Sequence, residues 1–209
     1  VLGASAVVQG FGNVGSYAVE TMPGYGMHVR GVSDLSGAIW NEAGIDALDL
    51  RAHVAKTGGV AGFPDADAID PDEMLEQECD ILVPAAMERV ITEKNAGNLK
   101  CRILAEAANG PTTPEADAII EERGDIFLIP DVLCNAGGVT VSYFEWVQNL
   151  QRFSWTKPEV LTKLETKLNE AFENLMDFCE ERKCGHRLGA LATGIDLVAR
   201  VKKTRGLFP

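Results

Sequence analysis

Over the first 150 positions, apolar residues come in short runs set between stretches of helical spacing. The runs at 6–8, 28–33, 81–83, 102–105 and 126–129 are each too short for a helix and are bounded by Gly, Pro, Asp or Asn. They predict five strands, with a weaker sixth at 60–63. Between them, 14–22, 45–56, 72–77 and 114–123 carry helical spacing and helix starts. Glu115 and Asp117, just behind Pro114, suit the positive end of the last of these helices. Strand and helix in alternation is the rhythm of β-α-β units, which gives an α/β fold with a parallel sheet covered on both faces.

Past residue 150 the strands stop and two helices are predicted. Thr156 and Glu159 have the spacing of a capping box, and Leu161, Leu164, Leu168, Phe172, Leu175 and Cys179 make one apolar stripe ended by Gly185. Leu188, Leu191, Ile195 and Val198 line a second helix, closed by Gly206 and Pro209. Such stripes pack on the preceding domain or on a partner.

Composition narrows the function classes. A net charge of -12 over 209 residues repels phosphate polyanions, and no run of Lys and Arg makes a local exception, so nucleic acid is excluded as a partner. The chain has no apolar run of membrane-spanning length and no secretory leader pattern, so it is expected to be soluble and cytoplasmic. Its five cysteines show neither a Cys-x-x-Cys pair nor histidines at zinc-ligand spacing; they read as reduced, mostly buried thiols, and no metal is expected. His28, His53 and His186 have no nucleophile and acid arranged around them and are assigned no catalysis. The chain begins at Val1, one short lead-in before a strand, and reads as a piece of something longer.

Chemistry enters with Gln9-Gly10-Phe11-Gly12-Asn13-Val14-Gly15, a Gly-x-Gly-x-x-Gly directly after the first strand and at the mouth of a helix. Gly10 serves a tight turn, Gly12 lets the backbone touch a pyrophosphate, and Gly15 allows close helix-strand packing. The pyrophosphate would rest on the exposed N–H groups at the helix start. Asp34 ends the second strand, where a dinucleotide-binding unit holds an acidic side chain. Its carboxylate would bond the adenosine ribose and repel a 2′-phosphate, favouring NAD over NADP. Three further segments follow strands and would line the same crevice: Pro84-Ala85-Ala86, Ala108 to Thr112 with Asn109, and Asn135 to Val139. The small Ala85 and Ala86 admit a flat adenine or ribose, the amides of Asn109 and Asn135 offer donors and acceptors to ribose or carboxamide, and Gly137-Gly138 frees backbone at a predicted helix start. The expected architecture is therefore a Rossmann-type, doubly wound, mostly parallel sheet with C-terminal helices. Residues 1–150 form the dinucleotide-binding core and 151–209 a helical segment packed on it.

The segments Gln9 to Gly15, Cys79 to Ala86, Ala107 to Asp117 and Asn135 to Trp146 resemble the Glu/Leu/Phe/Val dehydrogenase superfamily, and its glutamate dehydrogenases in particular. The resemblance covers essentially the whole chain. It implies reversible oxidative deamination of L-glutamate to 2-oxoglutarate and ammonia, with a hydride passing between the substrate Cα and the nicotinamide. By position it implies Gly12, Asn13 and Val14 at the pyrophosphate, Asp34 at the adenosine ribose, Ala85 and Ala86 beside the adenosine, and Asn109 and Asn135 towards the nicotinamide. Val139 and Ser142 would contribute to the substrate pocket, Ser142 facing the side-chain carboxylate. The family's first domain, with its catalytic lysine and proton-shuttling aspartate, has no counterpart in this sequence. No catalytic residue is therefore expected here, and the chain alone is expected to lack turnover. The full enzyme is expected to be a homo-oligomer. Two alternatives stay open: a stand-alone NAD-binding module, and the coenzyme domain of a Leu, Phe or Val dehydrogenase. The turn at Asn135 and the hydroxyl of Ser142 would have no evident use in a pure NAD sensor.

Overall fold

A computed structural model describes residues 2–206. The chain divides into two compact units, Val1–Asp131 and Val132–Pro209.

The first unit is built on a seven-stranded sheet of order β4-β3-β2-β1-β5-β6-β7. Its strands are β1 (Ser5–Gln9), β2 (His28–Asp34), β3 (Gly37–Trp40), β4 (Asp67–Ile69), β5 (Cys79–Pro84), β6 (Cys101–Ala105) and β7 (Phe127–Ile129). The five from β2 through β1 to β7 run parallel, and β3 and β4 extend the β2 edge antiparallel. This is the doubly wound α/β arrangement expected of the sequence. Alternate residues of β1 serve opposite faces. Val7 joins a cluster with Met74, Leu82, Leu99 and Leu104, while Ala6 and Val8 join Val19, Leu50 and Val83. Two-sided burial of this kind explains why β1 and β5 each carry a continuous apolar run rather than an alternating pattern.

The five expected strands lie within a residue or two of their expected bounds, but 60–63 is not a strand. Val60 and Phe63 are buried because a turn folds them under the second cluster, with the Phe63 N–H donating to the Val60 carbonyl (3.3 Å). The remaining strands are β3 and β4. β3 follows β2 by a hairpin whose loop is only Leu35 and Ser36, and β4 is a three-residue edge strand that is largely exposed, so it offers almost no apolar pattern.

The helices of this unit are α1 (Asn13–Thr21), α2 (Ala47–Thr57), α3 (Pro71–Leu75) and α4 (Pro114–Arg123). Their starts are set by short polar side chains. Asp46 accepts from the Leu48 and Asp49 N–H groups (both 2.9 Å), and Thr113 from that of Ala116 (3.2 Å). Arg123, at the end of α4, reaches back to the Ala96 and Leu99 carbonyls (2.7 and 2.8 Å).

A one-turn helix, α5 (Asp131–Cys134), leads into the second unit, which contains α6 (Gly137–Gln151), α7 (Lys157–Arg182) and α8 (His186–Arg205). α6 starts at the Gly137-Gly138 turn, where a helix start is expected, so helix begins before residue 150. The Thr156 N–H and hydroxyl both donate to Glu159 (2.7 and 2.8 Å) and hold its carboxyl below the usual range. α7 ends at Lys183, a non-glycine residue in the left-handed region (φ 53°), and Gly185 instead precedes α8 as its N-cap. Gly206 closes α8 as expected; Pro209 lies outside the described residues. The α7 stripe is buried at Leu175 and Cys179, where Gly189 of α8 comes close: a methyl on Gly189 would lie 2.3 Å from the Cys179 sulfur.

The five cysteines are free thiols, of which Cys79, Cys101 and Cys179 are buried. Cys79 and Cys101 are register partners on β5 and β6, and burial pushes their thiols up to about 12 and about 11. They are packing groups rather than nucleophiles. No helix among the described residues is long and apolar enough to cross a membrane.

Candidate dinucleotide crevice

The strand order fixes where a ligand can enter the first unit. From β1 the chain moves outward through β2, β3 and β4, then crosses back to β5 on the other side of β1. Beyond the C-terminal ends of β1 and β5 the connections diverge, which is where an open α/β sheet leaves a crevice.

Gly10 follows β1 there with φ +106°, a conformation that a side chain disfavours. A methyl on Gly10 would lie 2.7 Å from the Ala86 Cβ, beyond the end of β5, and one on Gly15 would lie 1.8 Å from the Gly10 carbonyl oxygen. The turn is pinned by the Gly10 N–H to the Ser33 carbonyl (2.8 Å) and the Ala85 N–H to the Gln9 carbonyl (2.7 Å). Gly12 differs: a Cβ there meets nothing within 4 Å, and residues 12–14 are exposed. Gly12 is the N-cap of α1, with no side-chain cap bond and no acidic residue in the first turn. The helix thus presents uncapped N–H groups and its positive end to an open approach, the arrangement that receives phosphate.

Asp34 closes β2 beside this turn. Its Oδ1 accepts from the Ser36 N–H and hydroxyl (2.7 and 2.5 Å), and its Oδ2 from the Val60 N–H (3.0 Å). The Ser36 Oγ in turn accepts from the Ala61 N–H (3.0 Å), and a methyl on Gly59 would lie 2.3 Å from that oxygen. The carboxylate is thus held in one orientation by two neighbouring segments, with acceptor capacity left on Oδ2. Arg30, the cation nearest in sequence, is engaged by Glu42 (2.9 Å). An Asx-type turn is legible in Asp34-Leu35-Ser36, but the contribution of Val60 is not, because it comes from a distant loop.

Ala85 is half-buried and Ala86 exposed at the crevice floor, and Asn109 is exposed at the apex of the loop that follows β6. The amide oxygen of Gln9, at the end of β1, is buried without a hydrogen-bond partner. Three residues before Asn109 lies Glu106, a fully buried acid that the apolar pattern does not single out. Its Oε1 accepts from the Thr112 hydroxyl (2.5 Å) and its Oε2 from the Asp131 N–H (3.0 Å). The opposite edge of the sheet holds a different kind of acid. Asp80, near the N-terminal end of β5, accepts from the Ser5 N–H (2.8 Å), which holds its carboxyl below the usual range, and ties β1 to β5.

In the second unit, Asn135 lies half-buried in the two-residue turn before α6. Val139 and Ser142 are three residues apart on α6, on one face of it, and both are exposed. Among the described residues, no group of three or more His, Cys, Asp or Glu side chains gathers as a metal site.

Known proteins share this architecture. Residues 1–206 match the family model of the Glutamate/Leucine/Phenylalanine/Valine dehydrogenases. The chain is 31% identical to the hetero-hexameric glutamate dehydrogenase of Thermus thermophilus in its Leu-bound form, with a TM-score of 0.91 over 100% of this chain and 49% of that one. It is 35% identical to the glutamate dehydrogenase of Peptoniphilus asaccharolyticus, with a TM-score of 0.82 over 98% of this chain and 48% of that one. An L-tryptophan dehydrogenase from Nostoc punctiforme, at 20% identity and a TM-score of 0.70 over 97% of this chain and 55% of that one, shares the fold. The chain thus spans about half the length of these relatives. With the glycine turn, the crevice and the family match over residues 1–206 in agreement, the chain belongs to the Glutamate/Leucine/Phenylalanine/Valine dehydrogenase family of oxidoreductases.

Proposed function

We propose that this chain is the NAD-binding domain of an enzyme that catalyses reversible oxidative deamination of L-glutamate to 2-oxoglutarate and ammonia. The observation that carries the reading is the convergence of Gly10, Gly15 and Ala86 at the switch point, where a methyl added at Gly10 or Gly15 would clash, with an oriented acid, Asp34, at the next strand end. Gly12, Asn13 and Val14 would hold the pyrophosphate, Asp34 the adenosine ribose, and Ala85 and Ala86 the adenosine face. Asn109 and Asn135 would serve the nicotinamide end. When bound, the dinucleotide supplies the hydride acceptor. NAD is favoured over NADP because the Asp34 carboxylate repels a 2′-phosphate.

Val139 and Ser142 would meet the substrate. The hydroxyl of Ser142 supports a carboxylate-bearing side chain, and hence glutamate, over the aliphatic or aromatic substrates that the family also includes. The acid–base groups of the reaction are assigned to a part of the protein outside this chain, and the whole enzyme is read as a homo-oligomer. Calorimetric titration with NAD and NADP tests the reading. The chain is expected to bind NAD, to bind NADP more weakly, and to give no glutamate-dependent reduction of NAD. Tighter binding of NADP, or turnover by the purified chain, would contradict it.

A further inference from the structure

Glu106 is an acid at a position that packing alone would fill with an apolar residue. It follows β6 directly and is fully buried, and taking a carboxyl group out of water is costly unless its oxygens are satisfied. Here each oxygen grips a different segment: Oε1 takes the Thr112 hydroxyl at 2.5 Å, and Oε2 takes the Asp131 N–H at 3.0 Å. The Asp131 carboxylate, in turn, accepts from the Gly110 N–H at 2.8 Å. The bonds form a relay from Glu106 to Asp131 to Gly110, with a second arm from Glu106 to Thr112, and the two arms meet the loop on either side of Pro111.

The outer side of the same loop is fixed by backbone. The Pro84 carbonyl accepts from the Ala107 and Ala108 N–H groups (3.0 and 2.8 Å), the Arg89 N–H donates to the Gly110 carbonyl (2.9 Å), and the Ile91 N–H donates to the Pro111 carbonyl (2.9 Å). Only the apex, Asn109 and Gly110, is exposed. Gly110 takes a positive φ of 53°, so the apex is a tight reversal whose direction depends on what holds its flanks.

We propose that Glu106 is a positioning residue of the dinucleotide crevice, whose buried carboxyl sets the loop that presents Asn109 to the nicotinamide half of the ligand. The inference rests on the dinucleotide reading above and adds to it a residue that touches no ligand. It separates two parts of the site: the adenosine and pyrophosphate contacts hang on the turns after β1 and β2, whereas the nicotinamide end hangs on Glu106.

The test is Glu106→Met in the 209-residue chain, a change of similar length that removes both acceptor oxygens. The Thr112 hydroxyl and the Asp131 N–H both lose this partner. Thr112→Val, which removes the hydroxyl and keeps the shape, attacks one arm alone and serves if the first variant does not fold. NADH reports on both halves of the ligand and ADP-ribose only on the half without nicotinamide. Both variants are expected to bind ADP-ribose as the parent does. Their affinity for NADH should fall about fivefold, the loss of one well-made hydrogen bond, and the fluorescence of bound nicotinamide should move toward that of free NADH. Equal losses for ADP-ribose and NADH would make Glu106 a general prop of the fold and overturn the proposal. Unchanged NADH affinity and fluorescence would overturn it too. A parent chain that binds neither ligand would remove the dinucleotide reading itself. One that binds both equally, with no change in nicotinamide fluorescence, would remove only this inference.

Discussion

The two units meet the apolar pattern of the sequence in opposite ways. In the sheet unit the residues of the strand runs are buried: Val7, Val8, Val32, Leu82 and Leu104 have no exposed surface. In the helical unit, residues picked out by an equally regular pattern stay open. Leu188, Leu191, Ile195 and Val198 on α8 are 48–69% exposed, and Leu161 at the start of α7 is 51% exposed. Only where Gly189 lets α8 approach Leu175 and Cys179 does the stripe close. A strand run is short and two-sided, so neighbouring strands and the helices over them suffice to cover it. A helical stripe declares a face and says nothing of what covers it.

The comparison can be broken at the tightest glycine of each unit. Gly15→Ala puts a methyl against the backbone oxygen of Gly10, an atom that cannot swing aside, so it should cost about 1–3 kcal/mol or more. Each kcal/mol corresponds to a fall of roughly 2–4 °C in melting temperature for a chain of this size. Dinucleotide affinity should go with it. Gly189→Ala meets the ends of the Cys179 and Leu175 side chains instead, which can move, and alanine inside a helix recovers about 1 kcal/mol of propensity. Its melting temperature should stay near that of the parent chain. Equal destabilisation of both variants would mean that the two units are closed by the same kind of contact.

A smaller effect separates binding from folding within the sheet unit. Asp34→Ser removes the carboxylate that bonds Val60 and is assigned to the ribose. NAD affinity should fall by about 1.5–3 kcal/mol, the range for hydrogen bonds to a charged group, and the margin over NADP should narrow. If calorimetry finds both affinities unchanged, Asp34 only ties the β2 end to the loop at 59–61. In the helical unit the corresponding change is smaller still. Ser142→Ala in the full-length enzyme should lower kcat/KM for glutamate by about fivefold, near 1 kcal/mol, and leave NAD affinity unmoved. An unchanged ratio of glutamate to norvaline turnover would take Ser142 out of the substrate pocket.

The same contrast explains what was legible in advance. Gly10, Gly12 and Gly15 could be read because glycine at fixed spacing reports a backbone requirement directly, and the structure gives each a different one: a turn, an open approach and a close contact. The five parallel strands and α4 followed from run length and from Pro114 at a helix start. β3 and β4 escaped because one hides behind a two-residue hairpin loop and the other is a largely exposed edge. α6 begins on Gly137 and Gly138, poor helix formers, so its start was marked by backbone freedom rather than by pattern. Glu106 escaped for a deeper reason. A single buried acid has no period, and its distant partner Asp131 becomes a neighbour only once β6 and β7 pair.

The central claim, that the crevice beyond β1 and β5 takes a dinucleotide, is tested most directly by amide chemical-shift mapping of the 15N-labelled chain during an NAD titration. Perturbations are expected at 10–16, at 34–36, at 85–86 and at 109–110, with the N-terminal edge around Ser5 and Asp80 silent. Shifts clustered at that opposite edge, or no shifts at millimolar NAD, would contradict it.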